Sequence, residues 1–294
     1  MSKRFVYAIK GCLASLALGL NVLVVFSAMI PVALIKLALP FAAVRRVADR
    51  CLTWLADHWV SLNNAWIAAV GPVRWNVAGL EGLKPRGWYL VSVNHQSWVD
   101  IFVLQKVMQH RIPFLKFFLK QELIWVPVIG LAWWALDFPF MRRKSGSSAT
   151  DLETTRRACE KFKLIPTSVI NFVEGTRFTK AKHGRQRSPY AHLLKPKVGG
   201  MAVALATLGQ KFDALLDVTI VYPQGVPTFW QLLSGQVREV IVRVEARPIP
   251  AELLRDDYLT DPQYRTRMQE WVNGMWLEKD RLIGELLPRP QART

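Results

Sequence analysis

Cysteine is scarce in this chain: Cys12, Cys51 and Cys159 are the only three in 294 residues. Their spacing forms neither a metal-ligand set nor a redox pair, as expected for a domain without structural disulfides that faces a reducing compartment. A Gly-x-Ser-x-Gly elbow, a Walker loop, the glycine pattern of dinucleotide folds and an HExxH helix are all missing. Their absence excludes an elbow-type acyl-serine hydrolase and any motif-based nucleotide binding. Acid is short as well, with 22 Asp and Glu against 39 Lys and Arg, a net charge of +17. No internal repeat or low-complexity linker divides the chain.

What is present is apolar length at one end and basic charge further on. From Gly11 to Ile35 there is no charged residue over 25 positions, between Lys10 and Lys36. A bilayer core needs about 20 apolar residues, so this stretch is long enough to span. Ser2-Lys3-Arg4 in front places the N-terminus in the cytoplasm by the positive-inside tendency. The run exceeds a signal-peptide core and no small-x-small cleavage site follows, so an uncleaved anchor is expected, with Pro31 leaving room for a kinked or re-entrant helix. Val44, Val47, Ala48, Cys51, Leu52, Leu55, Trp59, Leu62 and Trp66 then recur at helical spacing, an amphipathic helix that suits a core or a membrane interface equally. Nine of the twelve tryptophans fall between Trp54 and Trp134, which favours the interface.

Residues 142 to 211 carry fifteen Lys and Arg against Asp151, Glu153, Glu160 and Glu174. Such a surface suits nucleic acid or an anionic leaflet. Zinc-finger spacing, an RNP signature and a basic zipper are all absent, so nucleic acid is not expected and lipid is. Leu123 to Leu136 is uncharged but too short to span; it suits a core element or the lining of an acyl-chain tunnel, and Pro127 and Gly130 interrupt it.

Two segments carry the chemistry. Trp88 to Val93 reads as a buried strand and Ile101 to Met108 as a helix, which sets His95 at a strand-to-helix turn with Asp100 in the first helical turn. Residues five apart on one helix point about 140° apart, so the pair can meet only if His95 precedes the helix. The carboxylate then holds one ring nitrogen and leaves the other as a base. Thr167 to Val173 reads as a second strand, so Glu174-Gly175-Thr176-Arg177 also falls at a strand's carboxyl end, where ligands of open α/β sheets collect. Gly175 permits close approach to an anion, Arg177 offers a planar fork for phosphate oxygens, and Glu174 is expected to orient Arg177 or to meet a substrate hydroxyl. Lys195 and Lys197 stand ahead of a helix, in reach of phosphate.

The conjunction of Asn94-His95-Gln96-Ser97-Trp98-Val99-Asp100 with Phe172-Val173-Glu174-Gly175-Thr176-Arg177 closely resembles the lysophosphatidic acid acyltransferase (PlsC-like) family of glycerolipid acyltransferases, over about residues 75 to 225. Two weaker blocks agree: Leu136 to Arg143, where Arg143 is the preferred match to the family's arginine and Arg142 its neighbouring alternative, and Leu216 to Pro223. The latter departs from the commoner bacterial pattern of two close prolines. With Phe138 to Arg143, it looks like the YihG-like subgroup and its lysocardiolipin acyltransferase-like relatives.

The resemblance implies a mixed central sheet flanked by helices, an α/β domain preceded by an N-terminal membrane-anchoring helical segment. The expected layout is an anchor at 1–40, an amphipathic helix at 41–74 and an acyltransferase domain at 75–294. Strands are expected near 88–93, 137–142, 167–173, 217–222 and 237–244, and helices near 96–109, 148–163 and 199–208, with a long amphipathic helix after Pro262. The implied reaction moves a fatty acyl group from acyl-CoA or acyl carrier protein to lysophosphatidic acid, on the cytoplasmic side of a bacterial inner membrane. His95 and Asp100 would be catalytic, with Arg143, Glu174, Gly175, Thr176, Arg177 and Lys197 binding the substrate, and neither metal nor cofactor needed. Another lysophospholipid acceptor, a lysophospholipase or thioesterase using the same base on water, and a non-catalytic membrane adaptor are the alternatives.

Overall fold

The uncharged run forms one long helix, α1 (Lys3–Ala38), which continues through Pro31 although that residue supplies no N–H to the backbone ladder. At 1.5 Å per residue this rod is roughly 54 Å long. The computed structural model describes residues 2–39, 41–117, 119–138, 140–141, 156, 162, 165–254 and 261–288. α2 (Ala42–Val70) runs back antiparallel along α1. Lys36 pairs with Asp49 at 2.7 Å at the turn, Asn21 bonds Asn63 at 2.9 Å midway, and Lys10 reaches the carbonyl of Val70 at 2.7 Å at the open end. The buried stripe of α2 is Ala48, Leu52, Ala56, Val60, Asn63, Ile67 and Val70, while Val47 and Leu62 face outward. The sequence pattern put Asn63 on the polar face. It lies in the seam because α1 presents Asn21 there, and paired amides can be buried where a lone one cannot.

Both ends of α1 are tied to the rest of the chain. Lys36 also bonds the carbonyl of Ala135 and the carboxylate of Asp137, while Gly11 packs so closely on Trp230 that an added Cβ would lie 2.5 Å from its ring. The helix therefore lies along the body of the protein. Its outer face shows Leu13, Leu16, Leu20, Leu23, Val24 and Leu34, each more than half exposed.

The body is a six-stranded mixed sheet in the order β1-β8-β7-β2-β6-β3. Its strands are β1 (Arg74–Ala78), β2 (Tyr89–Val93), β3 (Leu115–Phe117), β6 (Ser168–Phe172), β7 (Ala214–Val221) and β8 (Glu239–Arg247). All neighbours are parallel except β7 and β8. β2 is central and buried on both faces, which is why it reads as a continuous apolar run. Tyr89, Val91 and Val93 join the layer under α1, α2 and α3 (Val99–Met108). Leu90 faces the other layer, built on α6 (Gly199–Leu208) and α8 (Pro262–Leu286). Short helices α4 (Ile129–Ala135), α5 (Lys180–Gln186) and α7 (Phe229–Leu233) fill the connections.

Among the described residues, the segment expected as a strand at 137–142 contributes β5 (Phe140–Met141), paired with β4 (Leu119–Lys120) in a separate ribbon. Of the helix expected at 148–163, all but residues 156 and 162 lie outside the described residues. Within 123–136, Gly130 is fixed by packing: a Cβ there would stand 2.1 Å from the carbonyl of Ile124.

Candidate active site

β2 and β6 lie side by side in parallel register, Val93 opposite Phe172, so the turns that follow them open at the same edge of the sheet. Asn94 fixes the first turn. Its amide donates to the carbonyl of Ile220 and accepts from the Ile220 N–H, both at 2.9 Å, which clamps the loop to β7. Ser97 adds a bond to the carbonyl of Pro227 at 2.5 Å. Between these clamps stands His95.

Its Nδ1 lies 2.8 Å from Oδ2 of Asp100. The same oxygen accepts from the N–H groups of Gln96 and Ser97 at 2.7 and 2.8 Å, and the Tyr222 hydroxyl donates to Oδ1 at 2.6 Å. Asp100 is wholly buried in the first turn of α3. A charge there is stabilised by these donors and by the positive end of the helix. With Nδ1–H given to the carboxylate, Nε2 is the basic nitrogen, and no described residue bonds it. The ring stacks on Phe172 with centroids 3.9 Å apart.

Tyr222 went unnoticed as a functional side chain in the sequence. Burial first, and then the neighbouring Asp100 charge, hold its phenol well above its ordinary range, so it stays a donor. It lies 122 positions from Asp100, and only the pairing of β7 with β2 unites them.

Glu174 differs from its expected place. It is wholly buried, with Oε1 accepting from the His95 N–H at 3.0 Å and Oε2 from the Leu194 N–H at 3.1 Å. It therefore ties the His95 loop to the loop ahead of α6. Desolvation by burial lifts its pKa to about 8, against the lowering by those two N–H groups; the Asp100 charge raises it and the Lys279 charge lowers it.

The rest of the second motif faces out. Gly175 takes φ +67°, a conformation that favours glycine, and a Cβ would meet the Lys197 side chain at 3.1 Å. Lys197 is held there by its own N–H on the carbonyl of Val173 at 2.7 Å. Lys182 bonds the Thr176 hydroxyl at 2.7 Å and the Arg177 carbonyl at 3.0 Å, and the Arg177 guanidinium lies 4.9 Å over the exposed ring of Trp98. Gly175, Thr176, Arg177, Lys182 and Lys197 thus form one cationic turn beside His95. Arg143 and its neighbour Arg142 lie outside the described residues.

The acyltransferase family model matches residues 74–223, half of the chain and all of the motifs described above. The chain belongs to the acyltransferase family. It is of the PlsC-like glycerolipid type, which its curated relatives support. Lysocardiolipin acyltransferase 1 of Gallus gallus is 25% identical over 82% of this chain and 66% of its own length, and that of Danio rerio 27% over 80% and 63%. 1-acyl-sn-glycerol-3-phosphate acyltransferase 3 of Arabidopsis thaliana is 26% identical over 78% of this chain and 59% of its own. The chain thus spans about two thirds of these relatives. The crystal structure of PlsC, the 1-acyl-sn-glycerophosphate acyltransferase of Thermotoga maritima, shares the fold: TM-score 0.55 at 19% identity, covering 97% of this chain and all of that one.

Proposed function

We propose that this acyltransferase moves a fatty acyl group from an acyl thioester, acyl-CoA or acyl carrier protein, to the free sn-2 hydroxyl of lysophosphatidic acid, forming phosphatidic acid. The observation that carries the reading is a buried-carboxylate His95–Asp100 pair beside a cationic turn. Nε2 of His95 removes the hydroxyl proton as that oxygen attacks the thioester carbonyl. Asp100 stabilises the imidazolium. When the tetrahedral intermediate collapses, the C–S bond breaks and the thiol leaves with the proton from His95, so no acyl-enzyme forms. The Gly175 turn, Thr176, Arg177 and Lys197, with Arg143, hold the acceptor's phosphate, whose doubly charged oxygens match a guanidinium fork and an ammonium. Glu174 positions the base through its backbone.

The outer face of α1 seats the protein in the cytoplasmic leaflet of the cell membrane. Because α1 is tied to the body at both ends, it lies in that leaflet rather than crossing the bilayer. The exposed rings of Trp98, Trp125 and Trp134 support an active site opening at the same level.

Transfer of labelled acyl groups to lysophosphatidic acid in lipid micelles tests this. His95→Ala should lose about 10²- to 10⁴-fold in kcat, and Arg177→Ala should raise the acceptor KM. Equal product from His95→Ala would end the mechanism. The lysocardiolipin acyltransferase relatives favour a second acceptor, a monolysocardiolipin-type lipid. The ratio of kcat/KM for the two acceptors decides between them.

A further inference from the structure

The turn that carries His95 sends one large side chain outward. Ser97 and Val99 are buried on either side of Trp98, Ser97 with a bond to the Pro227 carbonyl, so the indole between them stands half exposed at the start of α3. The backbone beneath it is fixed, because the N–H groups of Gln96, Ser97 and Asp100 are all bonded within the turn. An aromatic ring on such a base is a stiff surface that costs little conformational entropy to present.

What faces that surface is Arg177. The two turns lie side by side: the Phe178 N–H donates to the His95 carbonyl at 2.7 Å, and Lys182 donates to the Arg177 carbonyl at 3.0 Å. These bonds set the main chain at Arg177 and do nothing for its side chain. Among the described residues no hydrogen bond or ion pair engages the guanidinium, and Glu174, the nearest acid in sequence, is taken up by the N–H groups of His95 and Leu194. What the guanidinium does meet is the Trp98 ring, 4.9 Å below it.

An exposed arginine has a large rotamer entropy, part of which is lost when it closes on an anion. A cation over an indole face is drawn to the ring, and the attraction grows as water leaves the site. Contact through a face leaves the in-plane N–H donors of the guanidinium open to phosphate oxygens. An arginine already held against a ring therefore loses less freedom on binding than one that moves alone.

We propose that Trp98 is a positioning residue of the acceptor site, a platform that holds Arg177 for the lysolipid phosphate. The identity of the ligand rests on the acyl-transfer reading above. The platform is a task apart from the membrane contact of an exposed ring, and the two separate by experiment.

The test is a double-mutant cycle on binding. A 2-deoxy lysophosphatidic acid, which keeps the phosphate and cannot accept an acyl group, is titrated into the full-length protein in micelles by calorimetry. Trp98→Leu, apolar but without a π face, should weaken binding by about three- to thirtyfold. Trp98→Phe, which restores a ring, should recover most of that loss. In an Arg177→Ala background, itself weakened, Trp98→Leu should cost nothing further, since the ring acts through the guanidinium. In turnover Trp98→Leu should raise the acceptor KM more than it lowers kcat. Unchanged affinity in Trp98→Leu overturns the assignment. So does an equal loss with and without Arg177, the result expected of a ring that only touches lipid, or a Trp98→Phe variant as weak as Trp98→Leu, or a wild type that does not bind the analogue. Binding that shows the Trp98–Arg177 coupling, in a protein that transfers no acyl group, would leave the platform standing and remove the proposed reaction.

Discussion

At the scale of single residues, Asp100 is fixed by four hydrogen bonds, one of them to His95 itself. The Tyr222 bond is the one that a side-chain substitution removes cleanly. Tyr222→Phe leaves Oδ1 without its donor in a buried setting, a loss of about 1.5–3 kcal/mol for a bond to a charged group. The carboxylate is then less firmly held against the ring. kcat should fall while the acceptor KM stays put; an unchanged kcat would show that Tyr222 does not hold the His95–Asp100 pair in place. Glu174 gives a second prediction. Its folded pKa of about 8 stands above its ordinary 4.5. The folded state thus holds the proton more tightly than the unfolded one, and stability contributed by the neutral form is complete below about pH 4.5 and lost as pH rises toward 8. Glu174→Gln cannot titrate, so its melting temperature should fall less than the wild type's between pH 5 and pH 8. Parallel melting curves across that range would count against the raised pKa.

At the scale of elements, the long-range partners decided what the sequence could reveal. β2, β6, α6 and α8 were legible because each carries its own signal, a buried β-branched run or a helical apolar stripe bounded by glycine or proline. β1 and β3 were not: Arg74–Ala78 and Leu115–Phe117 are short, mixed segments, strands only because β8 and β6 lie beside them. The site divides the same way. His95 and Asp100 were readable from one turn, whereas Tyr222 and the inward set of Glu174 depend on β7 and on Leu194. The hairpin of α1 and α2 offers an element-level test. Asn21→Leu or Asn63→Leu alone removes the amide–amide bond and leaves the remaining side chain only the Trp66 indole or the Trp59 carbonyl as partner, a loss of about 1–3 kcal/mol, while the double substitution loses that bond once and should cost less than the sum. Urea unfolding in detergent measures it, and additive losses would mean that the amide pair does not hold the seam.

The whole molecule joins a net charge of +17 to an exposed apolar helix face. Attraction to an anionic leaflet and burial of apolar side chains should separate experimentally, since only the first is screened. In flotation assays, raising salt from about 0.05 to 0.5 M should weaken binding to anionic vesicles without abolishing it. Leu16→Glu with Leu20→Glu and Leu23→Glu should abolish what remains. Retention of that triple variant at high salt would place the membrane contact elsewhere on the protein.

The bond from Glu174 to Leu194 reaches further than the active-site edge. The Leu194 carbonyl accepts from Nε1 of Trp276 at 3.0 Å, so the loop that Glu174 grips is itself fastened to α8. The family match ends at 223, yet one brace of the His95 loop is completed at position 276. Synthesis proceeds from the N-terminus, so a growing polypeptide displays its lipid-seeking helix and all its reactive side chains before that brace exists. On the proposed function, the helix that seeks lipid is available before the last helix completes the setting of His95.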